Sequence, residues 1–280
     1  MRRTFALIVT ALGLTTLAAF APESSGATFT ASGRSSAQFA AADSVPFTMT
    51  GLVWWLDASR SSTVFSDTAC TIPAPSLTEV KCWHDARPTE QAVTAPSAGP
   101  MRTTTINGRS SLDFKPNQRL AGVDRLGGSN SALTVFAVLR ENQASNDEFL
   151  SLNGTDTTGT RVSLHTPWSS RVWFWDAGDT GNNRSQSATG VTPVGAVTLL
   201  TAWKDVAGGH NGFRLNRGTT YLSNSSTPAI TTGGLSIGTQ SAGMIVNDRD
   251  VAELLVYDRY LSSTDITAVE TYLRTKWGTP

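Results

Sequence analysis

The sequence predicts an all-β fold: a β-sandwich or barrel of short strands with one C-terminal amphipathic helix as its lid. Three observations predict it. The C-terminal end reads as a buried strand followed by a capped helix. Ahead of it, short β-like runs alternate with turn-rich segments from Gly51 onward. No helical period interrupts those runs, which argues against the strand–helix alternation of a parallel sheet.

At the N-terminus Arg2 and Arg3 precede an apolar run over residues 5–20, and Ala19-Phe20-Ala21 offers a small-x-small cleavage site. This is the pattern of a secretory signal, too short and wrongly flanked for a stable membrane span. Cleavage is expected after Ala21 or after Ala27, so residues 1–27 read as signal peptide. Residues 28–46 are rich in Ala, Ser and Thr without a sustained period, and read as a flexible linker. Residues 47–280 are a comfortable length for one large β domain. The mature chain is expected to be secreted, either free or associated with a cell surface.

Within the domain the clearest strand candidates are 52–56, 133–139, 149–152, 161–165, 171–176 and 197–203. Residues 212–215, 220–222, 235–238 and 251–257 follow. Asn153-Gly154 and the run Gly208-Gly209-His210-Asn211-Gly212 are turn signals. Two long loops, 85–105 and 177–195, stand out, and ordered long loops in compact domains are often functional. The last strand is Val251-Ala-Glu-Leu-Leu-Val-Tyr-Asp258, and residues 262–276 form the helix. Ser262 is placed to cap it, with Asp265 in the reciprocal capping-box position and Leu261 set to staple against Ile266. Ile266, Val269 and Leu273 share one face, Lys276 sits in the last turn, and Gly278 follows the end.

Lys plus Arg equals Asp plus Glu at 22 each. No net field draws the chain to nucleic acid or anionic lipid, and no later apolar stretch is long enough to cross a bilayer. Cys70 and Cys82 are the only cysteines. In an exported chain they are expected to form a disulfide, worth about 3 kcal/mol for a loop of this size.

Several of these segments carry a family resemblance. The C-terminal run "VAELLVYDRYLSSTDITAVETYLRTKWG" resembles the closing signature of laminin-G-like domains in the concanavalin A-like lectin/glucanase superfamily. "GLVWWLDAS", "VKCWHDA", "INGRSSLDF" and "TVFAVLR" match that family's first half in order. The resemblance spans about Gly51 to Gly278 and implies a two-sheet antiparallel jelly-roll sandwich with one C-terminal amphipathic helix, a fold that does not by itself fix function.

The superfamily includes glucanases, so acids come first. A retaining glycosidase presents an acid and a nucleophile about 5 Å apart, and the glucanase relatives place them within Glu-x-Asp-x-x-Glu. That string is absent here. The nearest candidate, Asp250-Val-Ala-Glu253, falls in the closing strand, where Glu253 is expected to pair with a neighbour such as Arg259. His84, His165 and His210 show no triad or metal spacing. No catalytic residue is assigned, and the expectation is a domain that binds rather than catalyses.

The binding candidates cluster at Arg171-Val-Trp-Phe-Trp-Asp176. On a strand, Arg171, Trp173 and Trp175 face one side, with the two indoles about 7 Å apart. Such a pair beside a guanidinium suits sugar rings, with Asp176 and Asn182 as polar help. The competing reading is that these rings fill the core. Trp54 and Trp55 point to opposite faces, and Trp83, Trp203 and Trp277 are assigned to packing. Asp176, Asp179, Asn182 and Asn183 offer hard oxygen ligands for a calcium ion, or a polar loop using Asp and Asn for turn geometry. The expected partner is a glycan or cell-surface polysaccharide. The alternative is an adhesive or structural protein that binds proteins or itself.

Overall fold

A computed structural model describes residues 45, 46, 48–89, 91–130, 132–143, 148–152, 161–165, 171–178, 184–223, 230–238 and 248–280. The expected signal peptide, nearly all of the expected linker, the expected Asn153-Gly154 turn and three calcium candidates (Asp179, Asn182, Asn183) lie outside the described residues.

The strands begin as β1 (Leu52–Asp57), β2 (Val64–Phe65), β3 (Cys82–His84), β4 (Ala92–Thr94), β5 (Met101–Ile106) and β6 (Arg109–Phe114). Next come β7 (Arg119–Ala121), β8 (Ser129–Asn130), β9 (Ala132–Glu141), β10 (Glu148–Ser151), β11 (Arg161–His165) and β12 (Phe174–Gly178). They finish with β13 (Arg184–Gln186), β14 (Val197–Asp205), β15 (His210–Leu215), β16 (Thr220–Leu222), β17 (Ile230–Thr231), β18 (Ser236–Gly238) and β19 (Arg249–Tyr257).

Two antiparallel sheets carry the fold. The first runs β16-β15-β14-β9-β19-β6-β5, with β1 also on β19. The second runs β13-β12-β11-β10-β18-β7-β4-β3-β2, and β17 and β8 form a separate pair. β19 is the axis of the first sheet. β9 flanks it along one side, while β6 and β1 share the other side. That central position explains why β19 is buried throughout and reads as a nearly continuous apolar run.

Alternation fills the space between the sheets. Leu133, Val135, Ala137 and Leu139 of β9 point inward with Val251, Leu254 and Val256 of β19. Leu150, Leu164, Trp175 and Ile237 of the second sheet belong to the same core. Trp54 joins it, while Trp55 points to the opposite face. Trp83, Trp203 and Trp277 are buried, in keeping with their assignment to packing.

The helix Ser263–Trp277 lies on the outer face of the first sheet, over β9 and β14. Ser262 accepts a hydrogen bond from the Asp265 N–H at 3.1 Å, and Gly278 closes the end at φ 65. Asp265 also pairs with Arg259 at 3.7 Å, so Glu253 does not take that arginine. Glu253 instead accepts from Trp55 Nε1 and Trp277 Nε1, each at 2.6 Å, and from the Tyr272 hydroxyl at 2.8 Å. Lys276 stands 2.8 Å from the same carboxylate. The reason is the bulge between Val251 and Glu253, which turns Glu253 outward beneath the helix.

Sequence and structure differ at several strands. The 171–176 candidate starts at Phe174, because Arg171 sits in the left-handed region at φ 58. The 85–105 segment is no continuous loop; it contains β4 and most of β5. Cys70 and Cys82 form the expected disulfide, with Cα atoms 5.5 Å apart, tying the loop before β3 to that strand.

Candidate functional site

Trp173 and Trp175 do share a face, as alternation requires, but that face is the interior. Both are fully buried and belong to the inter-sheet core, so neither indole forms a surface platform. The physical reason is volume: the gap between two sheets at this end is filled by the bulkiest rings in the segment. Trp175 Nε1 donates to the Trp203 carbonyl at 2.8 Å. Trp173 Nε1 donates to the Thr192 hydroxyl at 2.9 Å, and Arg171 donates to the Thr192 carbonyl at 2.6 Å.

Asp176 is also buried, on the opposite face of β12, and is not offered to a ligand. Arg184 holds both of its oxygens at 2.7 Å, and His165 Nε2 lies 3.2 Å away. Burial alone would raise this carboxyl; the hydrogen bonds from Arg184 and His165 outweigh it and bring it to about 2. A carboxylate neutralised in this way is a poor start for calcium, and Asn182, its expected companion, lies outside the described residues. Among the described residues no cluster of three or more His, Cys, Asp or Glu could hold a metal ion. Ser163 and Asp176 both approach the same nitrogen of His165, at 3.1 and 3.2 Å. A proton relay needs them on different nitrogens.

Thr192 leads from these buried residues to the surface. It lines a cavity of 310 Å³ together with Val191, Leu215, Asn216, Gly218, Thr219 and Tyr221. The cavity opens between the segment after β13 and the β15–β16 hairpin. Tyr221 is half-buried and packs its ring on Phe213, centroids 5.1 Å apart. Asn216 is fixed to β14: its N–H and side-chain oxygen exchange hydrogen bonds with Leu199, both at 2.8 Å. Its amide nitrogen is the group that remains to donate. The lining therefore combines one aromatic ring, short hydroxyl and amide side chains, and two aliphatic residues. It includes no carboxylate.

A second arrangement lies on the outer face of the first sheet, beside the helix. Asp113 of β6 stands directly opposite Asp250 of β19. Cross-strand neighbours of this kind are about 5 Å apart at Cβ. Arg140 and Asn142 hold Asp250, at 2.6 and 3.1 Å. Lys115 bridges Asp113 at 3.1 Å and Asp248 at 2.6 Å. Burial pushes the Asp113 carboxyl up, helped by the charges of Asp250 and Asp248 and opposed by Lys115. Burial would also raise Asp248, but hydrogen bonds from Lys115 and Asn142 hold it below the ordinary carboxylate range. Asp113 and Asp248, bridged by Lys115, thus differ: the first favours its proton and the second gives it up. The sequence marked Asp250 but not Asp113, which comes from a strand far from it in sequence.

No family model matches the chain, and no curated protein matches it. Solved structures do. A Trypanosoma rangeli sialidase in complex with sialic acid matches at 15% identity and TM-score 0.55, covering 82% of this chain and 34% of the sialidase. The binding domain of botulinum neurotoxin serotype D matches at 9% identity and TM-score 0.54, covering 82% of this chain and 54% of its own. The serotype C1 binding domain matches at 8% identity and TM-score 0.53, covering 84% and 56%. The chain thus spans about a third of the sialidase and just over half of each toxin domain. At these identities the likeness establishes a shared β-sandwich fold.

The comparison corrects one expectation. A domain that binds and does not catalyse was expected, yet the matched structures include sialidases, which are enzymes. The non-catalytic assignment is therefore withdrawn.

Proposed function

We propose that this chain is an exported carbohydrate-binding β-sandwich of the laminin-G-like, concanavalin A-like kind, with the sugar in the cavity beside Tyr221. The lining of that cavity carries the reading. An aromatic ring can pack against the apolar face of a pyranose, and Thr192, Asn216 and Thr219 can exchange neutral hydrogen bonds with its hydroxyls. A structure of the same fold solved with sialic acid supports the ligand class. The cystine and the apolar N-terminal run support export. The test is glycan-array binding by the mature protein and by Tyr221→Ala and Asn216→Ala. Binding that weakens in both folded variants upholds the cavity; binding unchanged in both removes it.

A second reading, glycoside hydrolysis, is supported by Asp113 and its acidic neighbours. Their side-by-side placement approaches the separation of about 5 Å used by retaining enzymes, and Asp113 favours its proton as a general acid must. Product release from sialylated and neutral oligosaccharides, abolished by Asp113→Asn, supports this reading. Turnover that survives in Asp113→Asn, or none in the parent protein, eliminates it.

A further inference from the structure

A separate cavity of 240 Å³ lies where the last turns of the helix meet the β15–β16 connection. Arg217, Thr271, Arg274, Thr275 and Thr279 line it. Two guanidinium groups and three hydroxyls face one space, with no carboxylate in the lining.

The nearby acid is already engaged. Glu270 is buried and holds Arg214 at 2.7 and 2.8 Å, with Arg217 Nε at 3.4 Å and the Thr201 hydroxyl at 2.7 Å. Arg274, one helical turn further on, has no ion pair among the described residues. Its Nε–H is buried and meets no acceptor there. The Thr279 hydroxyl is in the same condition on a residue only 6% exposed. Neither atom is reached by solvent, so what the cavity offers a partner is the terminal guanidinium nitrogens of Arg217 and Arg274.

The opposing effect is the negative end of the helix. It is partly cancelled: the Lys276 carbonyl accepts from Arg109 Nε at 2.9 Å and Asn107 Nδ2 at 3.3 Å. The Arg274 carbonyl accepts from the Gly278 N–H at 2.8 Å. What the cavity lacks is an acceptor-only group with negative charge, the partner that guanidinium and hydroxyl donors recognise together.

We infer that this cavity binds an oxyanion: a carboxylate, sulfate or phosphate group. Arg217 lies between Asn216 and Gly218, which line the sugar cavity, so a single turn separates the two spaces. An acidic substituent on a bound glycan would supply such a group. That source rests on the proposed function; the anion site itself does not.

The probes are inorganic sulfate, a sulfated disaccharide and its unsulfated counterpart, titrated into the mature protein at constant ionic strength. Sulfate is expected to shift the Arg274 Nε–H resonance. Its affinity should fall about tenfold or more in Arg274→Gln and in Arg217→Gln, yet stay unchanged in Tyr221→Ala. The sulfated disaccharide should bind more tightly than either other probe. If sulfate binds and neither disaccharide improves on it, the anion site stands and the glycan source fails. If Arg274→Gln does not fold, Arg274→Lys and the parent resonance decide. No sulfate response at Arg274, or an affinity unchanged in the arginine variant, overturns the inference.

Discussion

The indole nitrogen of Trp173 donates a hydrogen bond to the hydroxyl of Thr192 at 2.9 Å. This bond joins the core to the wall of the cavity beside Tyr221, because Thr192 lines that cavity and Trp173 does not. The tryptophan singled out from sequence sits behind that cavity and fixes one of the residues lining it.

Trp173→Ala should therefore behave as a core truncation and cost about 3–5 kcal/mol. Trp173→Phe keeps most of the volume but loses the bond, and should cost about 1–2 kcal/mol while weakening sugar binding through Thr192. Urea unfolding of both variants checks this. An unchanged midpoint for Trp173→Ala would mean that the ring lies at the surface.

Glu253 is the pin between helix and sheet. Two indoles, the Tyr272 hydroxyl and Lys276 converge on it in a site closed to water. Glu253→Ala should cost about 3–5 kcal/mol, since two indoles and the Tyr272 hydroxyl lose a buried acceptor, while Asp57 still holds Lys276 at 2.5 Å. Trp277→Phe removes one donor along with part of the ring, and should cost less. Thermal denaturation distinguishes them, and a variant order with Trp277→Phe the worse would contradict the assignment.

The helix and the long strands were legible in the sequence because their signals are local. Ser262, Ile266 and Gly278 announce the helix within one short segment, and β9 and β19 are long apolar runs. β5 and β6 were harder to see because they are polar, although the Asn107-Gly108 turn between them has the positive φ values of a hairpin. Alternation placed Trp173 and Trp175 together without saying which face was inside, since that depends on the opposing sheet. Tyr221, Thr192 and Asn216 meet only through tertiary packing, as do Asp113 and Asp250. No local spacing reveals such sites.

Acid should expose the role of Asp176. Its folded carboxyl titrates at about 2 against an ordinary value of 3.8, so the unfolded chain binds the proton more readily. The resulting stability, about 2 kcal/mol, is complete above pH 4 and is lost as pH falls through 2. Asp176→Asn should flatten this limb of the stability curve, measured by urea midpoints between pH 5 and 2. An unaltered slope would contradict the Arg184 and His165 pairing.

Lys204 works at the other end of the scale. Burial lowers its amine from 10.5 to about 8, and its ammonium donates to the Ala177 carbonyl at 3.0 Å. The unfolded chain then holds the proton more tightly between those values. Stability gained from this residue should rise as pH climbs from about 8 towards 10. Lys204→Met should remove that rise and stabilise the protein at neutral pH. A variant less stable than the parent at pH 7 would show that the carbonyl bond outweighs desolvation.

The most direct measurement is a crystal structure of the mature protein with an oligosaccharide selected on a glycan array. The account predicts a sugar ring against Tyr221, with hydroxyls bonded to Thr192 and Asn216. A sugar ordered on another face, with this cavity filled only by solvent, would contradict it.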